Sequence, residues 1–272
     1  MLAVTDLITY LYCPRKLYLQ KVLRIKPQLK DSILKGTIKH QVFEKFSEKE
    51  QELIRSIKPN SNLEEIKITY QKNYTNILLN LIKNYKSDLN KLKIKPGKLF
   101  QSSISVYIKE SELRSSTIYN LIQEKQIYGE ELCKTIPKYL TEVKIESSKL
   151  GLRGVIDKIE ILDKKHIPIE LKSGSMPEFG VWPGHQIQIT SYIMLMQNQF
   201  ENVDQGVIHY IDHNIKRKVI INDILQNEVI ELKEQTLETL NSPDIPQKLT
   251  NLSKCKSCQF KEKCHPNLQL VS

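Results

Sequence analysis

The sequence predicts an α/β protein whose mixed central sheet is flanked by helices. Three features lead there. Residues 1–130 carry apolar side chains at helical spacing. From Tyr139 the texture changes to three consecutive segments of strand length, 139–146, 152–162 and 166–172. A helix, two strands and a final helix follow. Helices ahead of a strand–strand–strand–helix–strand run build an α/β core.

Residues 1–25 read as a helix that Thr5 or Asp6 can cap, with Leu7, Tyr10 and Leu11 at helical spacing and Pro14 disturbing its middle. A second helix runs over 31–57 with Ile33, Leu34, Ile38, Val42, Phe43 and Phe46. A third runs over 62–95, and Pro96-Gly97 ends it. More helix follows through 100–130. After the three strands, the Gly- and Pro-rich loop SGSMPEFGVWPG leads to a helix over 184–199. Strands over 205–212 and 215–221 meet at the turn signal Asp212-His213-Asn214, and Asp223 caps a last helix ending near Asn241. No internal repeat or low-complexity linker divides the chain. The expectation is one domain over 1–272 with a helical insertion over 50–135.

At 272 residues the chain can bury one good core. Its 41 Lys+Arg against 31 Asp+Glu give a net charge of +10. Such an excess favours a polyanionic partner, by steering and by counterion release; a lysine-rich solvated surface gives the same count. The opening MLAVTDLITYLYC lacks the basic stretch and cleavage site of a secretory signal. No apolar run nears the roughly 20 residues of a bilayer span. Five cysteines, clustered and odd in number, fit a metal site in a reducing compartment better than a disulfide framework. The expected setting is cytoplasmic, with no membrane partner. The sequence holds no P-loop, which excludes a motor of that kind.

Asp157 lies in LRGVIDKIEIL, and Glu170 and Lys172 lie in HIPIELKSG. Residues two apart on a strand share a face, so Glu170 and Lys172 project together, and a hairpin brings Asp157 to the same spot. Carboxylates suit a hard divalent cation. A neighbouring lysine can hold an attacking water or a phosphate as a compact charge. That set suits phosphodiester hydrolysis, in which a cation activates water and neutralises developing charge. An E-x-K triplet also forms simple ion pairs, but charges leaving the buried run Ile167 to Leu171 call for a further reason. Two more pairs stand out: Gly36 and His40 as G-x-x-x-H, and Gln188 and Tyr192 as Q-x-x-x-Y. Taken alone, His40 reads as a solvated or core-edge histidine, and Gln188 and Tyr192 as helix neighbours that pack together.

In this order the four motifs resemble those of the RecB-type branch of the PD-(D/E)XK nuclease superfamily. The resemblance implies a restriction-endonuclease-like core. It implies Mg or Mn held by His40, Asp157, Glu170 and the backbone carbonyl of Leu171. It makes Lys172, Glu170 and Asp157 the catalytic residues, with Gln188 and Tyr192 facing the site.

Cys255, Cys258 and Cys264 form a C-x2-C-x5-C cluster that supplies three ligands to iron–sulfur or zinc. Cys13, in YLYCPRKLYL, or Cys133 is available as the fourth; Cys133 reads as a small buried residue on a helix. One distant N-terminal cysteine with three C-terminal ones resembles the iron–sulfur subgroup of RecB-type nucleases, above all the CRISPR-associated exonuclease family. That resemblance implies a 4Fe–4S cluster on Cys13, Cys255, Cys258 and Cys264, in a module of 1–28 with 243–272 that joins the two ends. It also implies DNA with single strands or free ends as substrate, prespacer trimming as the task, and CRISPR integrase subunits as partners. A stand-alone repair, replication or viral nuclease remains open, as does a non-catalytic nucleic-acid-binding protein with a zinc-held tail. Lysines over 83–98 and basic residues from Arg15 to Lys26 offer surfaces for a strand. Phe179 and Trp182, in the loop after Lys172, either stack on a base or pin the loop to the core.

Overall fold

The computed structural model describes residues 1–162 and 164–265. The N-terminal half runs β1 (Leu2–Ala3), α1 (Val4–Tyr12), α2 (Pro14–Lys21), α3 (Asp31–Arg55), α4 (Leu63–Asn84), α5 (Lys86–Lys91), α6 (Pro96–Lys125) and α7 (Gly129–Thr135). The remainder runs β2 (Lys138–Ser147), β3 (Leu152–Leu162), β4 (Lys165–Lys172), α8 (Pro183–Met196), β5 (Gln205–Tyr210), β6 (Ile215–Ile220), α9 (Asp223–Asn241), α10 (Leu252–Ser257) and α11 (Lys261–Cys264).

Where prolines fall, the helices differ from expectation. The first helix is two helices. The Pro14 ring disfavours α backbone in the residue before it, and Cys13 is extended at φ −169°, ψ 112°. Pro14 then opens α2, where its missing N–H leaves nothing unpaired. Pro96 likewise opens α6 instead of closing the third helix; the stretch expected as one helix over 62–95 is α4, which ends at Asn84, followed by the short α5. Asp6 does not cap α1 from outside; it sits inside the first turn and accepts the Ala3 amide at 3.1 Å. Asn222, not Asp223, caps α9, accepting the Leu225 amide at 2.9 Å.

The sheet order is β1-β3-β4-β5-β6, with β2 on the other edge of β3. β3 runs antiparallel to β2 and β4, β4 parallel to β5, and β5 antiparallel to β6. The sheet is therefore mixed. β1, absent from the sequence reading, joins β3 in parallel through Leu2 and Ala3. On one face α1, α8 and α9 bury Ile156, Ile159, Ile189, Ile193, Ile208 and Tyr210. On the other, α3, α4, α6 and α7 build a helical lobe over Ile169 and Leu171 of β4. Phe46, Tyr74 and Tyr107 stack at its centre, with Phe43 tilted against Tyr107. Arg114 ties the lobe together, pairing with Glu50 of α3 and with Glu110 (2.7 Å).

Residues 246–259 return to pack beside α1 and α2. The Tyr12 hydroxyl donates to the Lys254 carbonyl, Arg15 donates to the Pro246 carbonyl at 2.8 Å, and the Gln28 amide donates to the Gln259 carbonyl at 3.3 Å. The module expected over 243–272 runs past the described residues from 266 onward.

Candidate active site

Asp157 sits where β3 loses β4 as a neighbour. The two strands pair from Leu162 opposite Lys165 to Lys158 opposite Ile169. One more step would set Asp157 opposite Glu170. The ladder ends instead, and the Leu171 amide donates to the Asp157 carboxylate at 2.8 Å. β2 fills one edge of β3, so β1, which pairs with Leu152 and Arg153, lies on the edge that β4 leaves. Residues 154–157 face a gap between them. Gly154 lets the Tyr192 ring lie against the face of β3 there: a Cβ would lie 2.6 Å from the ring.

Opposite Asp157 in the β2 register stands Glu142, at φ 50°, a left-handed conformation uncommon for a residue with a Cβ. Ile156 and Ile159 both enter the α8-side core. The in–out alternation of β3 therefore changes face across Asp157.

Glu170 forms the floor, 4% exposed. Its Oε1 accepts Gln188 Nε2 at 2.6 Å and Lys172 Nζ at 2.9 Å. Lys172 Nζ also donates to Gln188 Oε1 at 2.7 Å, and Gln188 Nε2 donates to the Tyr192 hydroxyl at 3.3 Å. One amide side chain thus fixes both the acid and the base of the E-x-K pair. Glu170 Oε2 is buried without a partner among the described residues. A carboxylate oxygen left so is costly unless something else binds it.

His40 comes from α3, which packs on β3 and β4. Its Nδ1 lies 3.6 Å from Asp157 Oδ2. Burial, reinforced by Lys172, holds its pKa down at about 4, so at neutral pH the ring is the uncharged ligand form. Burial pushes Glu170 up to about 7 against the pull of Lys172, and Asp157 up to about 6 against the Leu171 amide. A bound cation would reverse both shifts.

Among the described residues no three His, Cys, Asp or Glu side chains converge on one ion position. His40 adjoins Asp157, and Asp157 follows Glu170 in the register, but each acid is turned to a donor: Glu170 to Lys172 and Gln188, Asp157 to the Leu171 amide. Two adjacent carboxylates turn to the nearest N–H groups for charge compensation. The donor types, a neutral imidazole and two carboxylates, one with an oxygen left unpaired, fit Mn or Mg. The Leu171 side chain is buried in the helical-lobe core.

Glu44 and Glu142 were not picked out in the sequence. They adjoin, and Glu142 adds negative charge beside Asp157. Glu44 stands at i+4 from His40, a spacing that puts both on one helix face; nothing in the sequence marks Glu142. Phe179 is 82% and Trp182 43% exposed in the loop beyond Lys172.

A family description of the PD-(D/E)XK nuclease superfamily matches residues 1–265. The chain belongs to that superfamily. Its mixed sheet flanked by helices agrees with the restriction-endonuclease-like core expected of a PD-(D/E)XK protein. Two curated relatives of this PD-(D/E)XK chain are a "DNA replication ATP-dependent helicase/nuclease JHS1" from Arabidopsis thaliana, 22% identical over 93% of this chain and 19% of that protein, and a "CRISPR-associated exonuclease Cas4" from Francisella tularensis subsp. novicida, 26% identical over 44% of this chain and 60% of that protein. The chain thus spans about a fifth of the first relative and three fifths of the second. The solved structure of SSO0001 superposes with a TM-score of 0.34 at 21% identity, covering 69% of this chain and 81% of that one.

At the far end of α1, Cys13, Cys255, Cys258 and Cys264 line one cavity with Lys16, Lys254 and Lys261. Cys13 Sγ accepts the Lys16 amide and Cys258 Sγ the Phe260 amide, both at 3.4 Å. Burial, then the nearby Cys264, Cys13 and Cys258, push the Cys255 thiol up. Cys133 lies elsewhere, buried on α7 with its thiol 3.5 Å from the Gln51 carbonyl. His265 lines the cavity rim beside Cys264.

Proposed function

We propose that this PD-(D/E)XK nuclease is a metal-dependent DNA exonuclease that cuts single strands or free DNA ends. The observation that carries the reading is the Lys172–Glu170–Gln188 cluster set beside Asp157 and His40, with one Glu170 oxygen left unpaired. His40, Asp157, Glu170 and the Leu171 carbonyl would hold Mn or Mg, which when bound supplies a polarised water and neutralises charge at the phosphate. Lys172 has three N–H donors. Two are engaged by Glu170 and Gln188, and the third is directed to the nucleophile or a phosphate oxygen. Gln188 keeps that ammonium in place, and Tyr192 keeps Gln188 in place. Phe179 and Trp182 flank the entrance, where they contact the strand. The net charge of +10 favours a polyanion there.

The four terminal cysteines support an iron–sulfur cluster of the 4Fe–4S type. They share a cavity, and two of the sulfurs already accept amide N–H bonds, the arrangement that stabilises metal thiolates. A single zinc, which takes its sulfurs at about 2.3 Å, is the alternative occupant of the same thiols. The cluster's part is to clamp α1 and α2 to the C-terminal segment. The similarity to a CRISPR-associated exonuclease supports prespacer trimming, with integrase subunits as partners; the similarity to a replication helicase/nuclease supports a repair or replication setting. Digestion of end-labelled single and double strands under anaerobic conditions, with and without Mn, tests the reading. Mn-dependent shortening from an end is expected, and no cleavage under any divalent ion would refute it.

A further inference from the structure

The loop between β4 and α8 follows Lys172 directly and is tied down along its length. The Gly174 amide donates to Asp212 Oδ2 at 2.8 Å. Asp212 in turn pairs with Lys39, the neighbour of His40 on α3. His213 Nε2 lies 3.1 Å from the Gly174 carbonyl oxygen. The Trp182 ring donates to the Ser175 carbonyl at 3.4 Å, and its amide donates to the Tyr210 hydroxyl at 3.3 Å. Arg217 of β6 holds the rest. Its guanidinium donates to the carbonyls of Pro177 (3.1 Å), Glu178 (2.7 Å) and Gly180. A planar fork of N–H groups can collect three carbonyls in this way; an ammonium on a flexible stem holds them less rigidly.

Phe179 is what this clamp leaves over. Its backbone lies between two of the carbonyls that Arg217 holds, yet its ring is 82% exposed. It therefore does not pin the loop; Arg217 does. The sheet register fixes where the clamp stands. Glu170 stands opposite Ile208, and Ile208 opposite Arg217. Residues directly opposite across a sheet share a face, so the floor of the active site and the clamp lie in one row, two strand spacings or about 10 Å apart.

We propose that Arg217 is a positioning residue that fixes this loop so that Phe179 stacks on an unpaired nucleobase adjoining the scissile phosphate. The inference rests on the nuclease reading and names what that site selects: a strand whose end bases are unpaired. Stacking of this kind tolerates any base, because every base has a π face. An aromatic ring held ready on a fixed backbone loses little freedom on binding.

The test uses the full chain and single-stranded oligonucleotides that are intact or carry an abasic residue beside the bond that is cut. Phe179→Ala should raise KM on the intact strand about tenfold, and Phe179→Trp should restore it. The abasic strand should cost the parent the same factor and cost Phe179→Ala nothing more, since both remove one contact. Arg217→Lys should follow Phe179→Ala. An unchanged KM in Phe179→Ala, or an abasic penalty equal in parent and variant, overturns the inference; a partner-protein contact at Phe179 would give that result. A parent that cuts no strand with Mn refutes the nuclease reading instead. In that case quenching of a 2-aminopurine strand with Ca in place of Mn decides the stacking: quenching that depends on Phe179 supports it, and its absence overturns it.

Discussion

The Leu171 amide donates at 2.8 Å to the carboxylate of Asp157, the first β3 residue past the last β3–β4 pair. A side chain takes the place of the next backbone partner, and the strands part at that point. The opening so made is where Glu170, Lys172 and His40 collect. Fold and site are therefore one feature: the acid that ends the ladder is also an acid available to a cation.

Lys172→Ala and Glu170→Ala should each lower kcat for Mn-dependent strand cleavage by about 10²–10³. Strand binding with Ca in place of Mn should persist. A gel-based turnover assay alongside a binding titration checks this, and parent-like turnover in both variants would show that the chemistry lies elsewhere.

Gln188→Leu removes the amide that fixes both Glu170 and Lys172 while keeping the volume. Groups that orient the residues around a metal affect affinity or activity by about 10–100-fold. The Mn concentration for half-maximal activity should rise accordingly.

The pH dependence follows from the Glu170 shift. Its carboxyl is raised from 4.5 to about 7 in the folded chain, so the folded state binds the proton more tightly than the unfolded one. The resulting stability is complete below pH 4.5 and is lost as pH rises through 7. Without divalent ions, Glu170→Gln should match the parent's melting temperature near pH 4.5 and exceed it increasingly up to pH 8. Adding Mn at pH 8 should raise the parent and not the variant.

Gly154→Ala would set a methyl group 2.6 Å from the Tyr192 ring, which is 1% exposed and has no room to retreat. Overpacking of this kind costs about 1–3 kcal/mol. Urea unfolding should show it, with turnover reduced further because Tyr192 supports Gln188.

Cys13→Ala and Cys258→Ala come from opposite ends of the chain but should share one phenotype. Both should lose bound iron and visible absorption, melt at lower temperature, and become open to proteolysis near residues 243–251. Stoichiometric zinc in the parent would decide for the zinc alternative.

The strands and their carboxylates were legible in the sequence because strand periodicity is local: the expected 152–162 is β3 without change, and Glu170 and Lys172 share a face by spacing alone. Helix breaks were less legible. Pro14 and Pro96 each carry two readings, stop and start, and the neighbouring packing decides between them. The clamp by Arg217 was not legible, since β6 and residues 177–180 meet only through the sheet register. Nor was Glu142, because a glutamate in the left-handed region carries no turn signal of its own. Phe179 could be named from the sequence, but whether it anchors the loop depended on which side chain holds the neighbouring carbonyls.

The central claim is that His40, Asp157 and Glu170 serve one divalent ion. Crystals grown with Mn and measured at the manganese absorption edge test it most directly. The account predicts one anomalous peak at bonding distance from the His40 ring and both carboxylates, with Glu170 Oε2 engaged. A peak elsewhere, or none at an Mn concentration that supports cleavage, would contradict it.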